Sequence, residues 1–182
     1  MLLRLNYSIS NNIKGNDYRY GEIVNKRRKP AVSAILIGIG LARFIDITIF
    51  HQILQWHHTT SNKIIPNTLE SLQMNILWDG VFLAFSLIIT IVGVSLLWHA
   101  SDSKNKNSLL SNKWSFIGLI FIGFGGFNII EGIINHHILE MHHVIDVADP
   151  FVFDLIFLVV GGLAFLVTGG VFTRLQKVKY NP

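Results

Sequence analysis

Four apolar runs, at roughly 31–54, 76–98, 114–138 and 151–173, decide what this chain can fold into, because crossing a hydrocarbon core as a helix takes about 20 residues. A bilayer offers the backbone no water, so runs of this kind must satisfy their own amide groups as helices. With 51% hydrophobic and 14% charged residues and a mean hydropathy of +0.47, the 182-residue chain is too apolar for a soluble domain. An all-α polytopic membrane protein with four transmembrane helices is therefore expected.

The charges order the connecting segments. Residues 1–29 are polar, close on Lys26-Arg27-Arg28-Lys29 and are expected to form a flexible basic cytoplasmic tail. A cleaved signal peptide does not fit, since the run from Ala31 exceeds an apolar core of about 7–15 residues and lacks a small-residue cleavage site. Residues 30–175 form the expected four-helix membrane domain, and 176–182 a second cytoplasmic tail. Lys104, Lys106 and Lys113 mark the middle loop and Arg174, Lys177 and Lys179 the C-terminal end, while the other two loops hold only Lys63. Lysine and arginine are enriched on cytoplasmic loops, so both termini are expected inside the cell. The net charge of +4 and pI near 9.5 come from these membrane flanks, not from a nucleic-acid-binding face. The expected partner is the lipid bilayer, with a larger membrane complex or a homo-oligomer open.

A second feature lies inside the apolar runs. Asp46 to His58 reads Asp-Ile-Thr-Ile-Phe-His-Gln-Ile-Leu-Gln-Trp-His-His, and Glu131 to His143 reads Glu-Gly-Ile-Ile-Asn-His-His-Ile-Leu-Glu-Met-His-His. An offset of 85 positions superimposes Asp46 on Glu131, His51 on His136, and His57-His58 on His142-His143. The even runs echo one another more faintly, Trp78-Asp79-Gly80-Val81-Phe82-Leu83 against Phe153-Asp154-Leu155-Ile156-Phe157-Leu158. Two tandem helical hairpins are expected, repeat one at 30–99 and repeat two at 113–175, related by a pseudo-twofold axis along the membrane normal. Gly38 and Gly40, with Gly123, Gly125 and Gly126, are expected to bring the two odd helices together. Both histidine pairs then belong at the extracytoplasmic ends of the first and third spans.

No cysteine is present, which excludes disulfides, thiolate metal sites, iron–sulfur clusters and cysteine nucleophiles. On a helix advancing about 100° per residue, Asp46, His57, Arg43, His58 and His51 share an arc of about 140°, and the second copy repeats this with Glu131, His142, Asn128, His143 and His136. Asp46 and His57 are then about 16 Å apart along the axis, so ligands to one ion are expected from different helices. Asp79 and Asp154, expected about one turn into the even spans, reach the depth of His51 and His136. His51, His58, Asp79, His136, His143 and Asp154 form the core of the expected donor set. His57, His142, Glu131 and Glu140 join as further ligands, and Arg43 and Asp46 as an ion pair or as groups that orient the imidazoles. His136, Glu140 and His143 add the Glu-x-x-His spacing of dimetal bundles. Imidazole with carboxylate suits copper, iron or zinc; haem between His51 and His136 is the alternative cofactor.

Plainer roles compete. The histidine pairs suit the headgroup level, Arg43 and Asp46 suit an isolated ion pair, and Asp79 and Asp154 suit helix N-termini. His99 suits the interface, and His137 and Gln52 lie off the polar arc.

The segments His-Gln-Ile-Leu-Gln-Trp-His-His, Trp-Asp-Gly-Val-Phe and Gly-Phe-Asn-Ile-Ile-Glu-Gly-Ile-Ile-Asn-His-His-Ile-Leu-Glu-Met-His-His-Val resemble the predicted membrane protein family catalogued as domain of unknown function 2243. The resemblance covers about residues 34 to 173 and implies a four-span bacterial or archaeal membrane protein with a respiratory or copper-related setting, but no established activity. It also implies glycine after the first acid and histidine in the Asp-Gly-Leu-Phe-His segment, where this chain carries Ile47 and Leu83, so the first half would lose a ligand if that histidine were one. The expected function is transition-metal binding for metal handling or redox chemistry, with a small subunit or assembly factor of a membrane complex as the alternative. Whether the chain is an enzyme is open at this stage.

Overall fold

A computed structural model describes residues 28–101 and 113–174. The expected tails and most of the basic middle loop lie outside the described residues, although Arg28 and Lys29 already belong to the first helix. Four helices are long and apolar enough to cross a membrane: α1 at Arg28–Ile53, α2 at Leu69–Ser101, α3 at Lys113–Ile138 and α4 at Phe151–Arg174. No strand occurs among the described residues.

Burial is inverted relative to a soluble bundle. Pro30, Ala34, Ala42, Ile47 and Val144 are the buried apolar side chains among the described residues, whereas Arg43, Asp46, Asp79, Glu131, Asp154 and several histidines are buried with them. Phe85, Ile91, Val160 and Val167 point outward, more than half exposed or close to it. An apolar exterior around a polar interior is what a hydrocarbon solvent selects, because a charge facing lipid at mid-membrane costs several kcal/mol.

Glycines set the helix spacing. A Cβ on Gly38 would fall on the Ile120 carbonyl of α3, and one on Gly123 on the Ile35 carbonyl of α1, so the odd helices meet backbone to backbone here. Gly40 and Gly125 do not share this contact, contrary to the sequence expectation: Gly40 faces Ser86 and Thr90 of α2, and Gly125 faces Gly162 and Leu166 of α4. Gly126 has open room, its nearest neighbour being Leu166 Cδ2 at 3.9 Å. Gly38→Ala is expected to lower the stability of detergent-purified protein by roughly 2–3 kcal/mol, the upper range for overpacking, since a carbonyl cannot swing aside. Gly80→Ala, with nothing within 4 Å, should leave thermal unfolding unchanged or slightly raise its midpoint.

The ends of α1 and α3 decide where the histidines go. Their last segments, Ile47–Ile53 and Gly132–Ile138, widen into π-helix, as does Phe157–Leu163 within α4, a form frequent at functional sites. Each then stops on the same device, with Leu54 N–H donating to Ile49 C=O (2.8 Å) and Trp56 N–H to Phe50 C=O (2.9 Å) in one, and Leu139 to Ile134 (2.7 Å) and Met141 to Asn135 (2.8 Å) in the other. Between those bonds sit Gln55 with φ 51° and Glu140 with φ 48°, left-handed residues that turn the chain back over the helix end. The helical placement of His57, His58, His142 and His143 is thus corrected: the helices end four or more residues before them. The two reversed segments are stitched together by Asn62 N–H to Met141 C=O (3.0 Å) and Asp146 N–H to Trp56 C=O (3.1 Å). Depths are corrected too, since α2 begins at Leu69 and carries Asp79 about three turns inside it, not one. Asp154 does lie in the first turn of α4, without capping it through its side chain.

Candidate metal centre

Under the two reversals, His51 from the π turn of α1 and His57 and His142 from the folded-back segments come together. The His57 and His142 rings stack at 4.7 Å and 4°, and the His51 ring stands 4.2 Å from His57 and 5.8 Å from His142, centroid to centroid. The separation of about 16 Å expected for a straight helix is abolished by the reversal at Gln55.

The partners of the three rings determine their tautomers. His57 Nδ1 donates to Val144 C=O (2.8 Å) and His142 Nδ1 to Thr59 C=O (3.0 Å). A carbonyl oxygen can only accept, so Nδ1 carries a proton in both, and in the neutral ring this leaves Nε2 with a lone pair. His51 Nδ1 lies 2.8 Å from Asp79 Oδ1, a carboxylate acceptor with the same consequence. The Nε2 atoms of all three are buried without a hydrogen-bond partner, and the three residues bring nitrogen atoms within 4.8 Å of one another. Burial, and then the neighbouring His51 and His142, push the His57 pKa well below its usual value and keep the ring neutral.

Two carboxylates press on this set. Glu131 Oε1 is 3.2 Å from His142 Nε2, and Asp46 Oδ2 is 3.4 Å from His51 Nε2. For rings protonated on Nδ1 alone each contact would oppose two lone pairs, so it takes either a proton on Nε2 or a cation between the two atoms. Ligand atoms held at about 2.0–2.2 Å around a tetrahedral ion stand about 3.3–3.6 Å apart, close to these separations. Glu131, His136 and His142 form a second group within 4.8 Å, sharing His142 with the first. Arg43 lies across the acids, with Nη1 donating to Asp46 Oδ2 (2.8 Å) and Glu131 Oε1 (3.3 Å) and Nη2 to Thr59 Oγ1 (3.3 Å). It is therefore bound to both halves of the chain and not to Asp46 alone.

Asp79 and Asp154 stand at the back of the imidazoles. Asp79 accepts from His51 Nδ1, His58 Nδ1 (2.8 Å), Thr59 N–H (2.9 Å), Thr59 Oγ1 (2.8 Å) and Gln52 Nε2 (3.3 Å). Asp154 accepts from His143 Nδ1 (2.7 Å) and Val144 N–H (2.9 Å). His136 Nδ1 is 3.2 Å from Asp154 Oδ1 but is not aligned to donate. Both oxygens of Asp79 are thus committed to loop and imidazole donors. His58 and His143, only half-buried, serve as brackets between the loops and these acids. Glu140 is exposed at the reversal itself and takes no part; His137 is exposed, 6.3 Å from the Phe151 ring, and His99 lies at the far end of α2 on Ser95 C=O. Leu83 brings no donor atom to the cluster. Gln52, placed off the polar arc by helix periodicity, instead reaches Asp79; Asn135 (on Glu131 Oε1 at 3.1 Å) and Thr59 are not expected from the sequence, and the Thr59 and Val144 carbonyls cannot be, since backbone acceptors leave no residue signature.

A family profile described as Predicted membrane protein (DUF2243) matches residues 33–176. The chain belongs to this family. The matched region takes in α2, α3 and α4 in full, most of α1 and every residue of the cluster in this chain, and the family is one of predicted membrane proteins. No curated protein and no solved structure matches the chain.

Proposed function

We propose that this membrane protein holds a transition-metal ion on the Nε2 atoms of His51, His57 and His142, with Glu131 as fourth ligand, and serves metal handling or redox chemistry. The observation that supports this most is the gathering of three buried imidazoles whose Nε2 atoms make no hydrogen bond and whose Nδ1 atoms are held from behind. Burying three bare acceptors together is costly unless a cation satisfies them. Locking the far nitrogen to a carboxylate or carbonyl is the usual way proteins orient imidazole ligands. Charge points the same way, since Asp46, Asp79, Glu131 and Asp154 are all buried and Arg43 is the one buried lysine or arginine among the described residues. A nitrogen-rich set with one carboxylate suits copper, zinc or iron, and the bound ion would supply Lewis acidity or, for copper and iron, one-electron chemistry.

The positive-inside bias supports cytoplasmic termini, and that orientation puts the cluster on the extracytoplasmic side. Paired features at an offset of 85, from the Gly38 and Gly123 contacts to the crossed His57–Val144 and His142–Thr59 bonds, support a pseudo-twofold arrangement of two hairpins. Haem is disfavoured by crowding: a porphyrin between His51 and His136 would have to displace the His142 ring, 5.8 Å from one and 4.9 Å from the other.

Elemental analysis of protein purified in detergent without added chelator tests the proposal. About one equivalent of a single transition metal is expected, released only below the pH at which imidazoles protonate. Less than a tenth of an equivalent after growth with copper, iron and zinc supplied, in protein that nevertheless co-purifies with a larger complex, would favour a non-catalytic subunit instead.

A further inference from the structure

Arg43 occupies the place that a second ion would take. Its Nη1 sits between Asp46 Oδ2 from α1 and Glu131 Oε1 from α3, one carboxylate from each half, at 2.8 and 3.3 Å. On the far side of Glu131, His136 Nε2 lies 3.8 Å from Oε2, and His136 Nδ1 is buried with no hydrogen bond made. Asp46, Glu131 and His136 would together form an oxygen-rich donor set next to the tri-histidine group, with Glu131 able to bridge the two positions as carboxylates do in dimetal bundles. In the present chain Asp46 Oδ2 and Glu131 Oε1 each accept a hydrogen bond from the guanidinium that stands between them. An arginine is charged at every accessible pH and cannot be displaced as a proton can. At the corresponding place 85 positions on, the chain carries Asn128, which bonds the Gly161 carbonyl and bridges no acids.

Resting on the metal-binding proposal above, we infer that Arg43 is a tethered cation that restricts this centre to one metal ion, and that removing it opens a second divalent site on Asp46, Glu131 and His136. Charge balance agrees. Four buried carboxylates with Arg43 and one divalent ion come within one charge of neutrality. A second dication added beside Arg43 would put like charges in contact in a buried site, whereas without the guanidinium two dications neutralise the four acids.

The test is zinc stoichiometry by elemental analysis on full-length protein in detergent, after saturation with zinc and dialysis against a weak chelator. Wild type and Arg43→Lys are expected to retain one ion per chain, Arg43→Asn two, and the double variant Arg43→Asn with His136→Ala one. Two ions in the wild type, or one in Arg43→Asn, overturns the inference while leaving the tri-histidine site standing; none in the wild type removes both. Arg43→Asn leaves two acids uncompensated and is expected to need zinc during purification. If it folds with zinc and carries two ions the inference holds, and if zinc does not help it fold the inference fails.

Discussion

His142→Ala protein is expected to lose its metal, and His143→Ala protein to keep it. The two residues are adjacent in sequence and of the same type, and in a helical reading both are candidate ligands. In the folded chain they face opposite ways. His142 is buried, with Nδ1 on the Thr59 carbonyl, Nε2 3.2 Å from Glu131 Oε1 and its ring 5.8 and 4.7 Å from those of His51 and His57. His143 is half-buried and spends its Nδ1 on Asp154. Removing a ligand from a four-donor site should cost more affinity than the roughly 10–100-fold typical of the groups behind the ligands. His142→Ala should therefore fall below about a tenth of an equivalent after dialysis, while His143→Ala, acting through Asp154 and the loop, stays within about tenfold of wild-type affinity. A competition titration with a chelating dye on both variants measures this. Equal losses in the two, or the reverse order, would sink the assignment of Nε2 of His142 as a ligand. The same contrast applies to His57 and His58 in the first half, where His57 faces the centre and His58 braces Asp79.

That contrast marks the boundary of what the amino-acid sequence discloses. Four spans are visible because hydrocarbon thickness imposes a length, and their apolar centres agree with the helices at 28–53, 69–100, 113–138 and 151–174. The start of α2 is not visible, since Leu69 to Asn75 is mostly polar and lies before the apolar run, where hydropathy is silent. The acids and histidines are equally plain in the string, and the nearness of Asp79 to His51 follows from helix pairing. What the string hides is the reversal. Gln55 and Glu140 carry neither the glycine nor the asparagine that usually marks a left-handed helix end. A non-glycine residue there costs roughly 1–2 kcal/mol, so local preference favours continuing the helix. The fold overrides it because each returning segment is held from two sides, by the acid beneath it and by the carbonyl it exchanges with the other segment. A periodicity of 3.6 extended through Gln55 therefore assigns every later histidine to the wrong height.

Asp79 is the residue on which that override most depends, and Asp79→Ala is expected to be the most damaging single change in the chain. The carboxylate is fully buried and accepts from five donors at 2.8 to 3.3 Å, three of them from His58 and Thr59 in the returning segment and one from the proposed ligand His51. Truncation leaves these donors buried and unpaired at about 1–3 kcal/mol for each that finds no water. Because they share one acceptor the losses do not add, and the net cost is set near the roughly 3–5 kcal/mol seen when one partner of a buried charged pair is removed. That is a large part of a typical margin of about 5–15 kcal/mol. The geometry of the centre fails with it, since Thr59 N–H on Asp79 is what holds the Thr59 carbonyl against His142 Nδ1. Metal affinity should drop more than about 100-fold, although Asp79 itself touches no ion. Asp154→Ala, which frees two aligned donors instead of five, should cost roughly half as much stability and leave measurable binding. Thermal unfolding in detergent, with and without saturating metal, ranks the two against Asp149→Ala, an exposed acid in the same loop region that should be silent. If Asp79→Ala unfolds no earlier than Asp149→Ala, the returning segments are held by something other than the buried acids; if Asp154→Ala is the worse of the two, the first half is not the one that organises the centre.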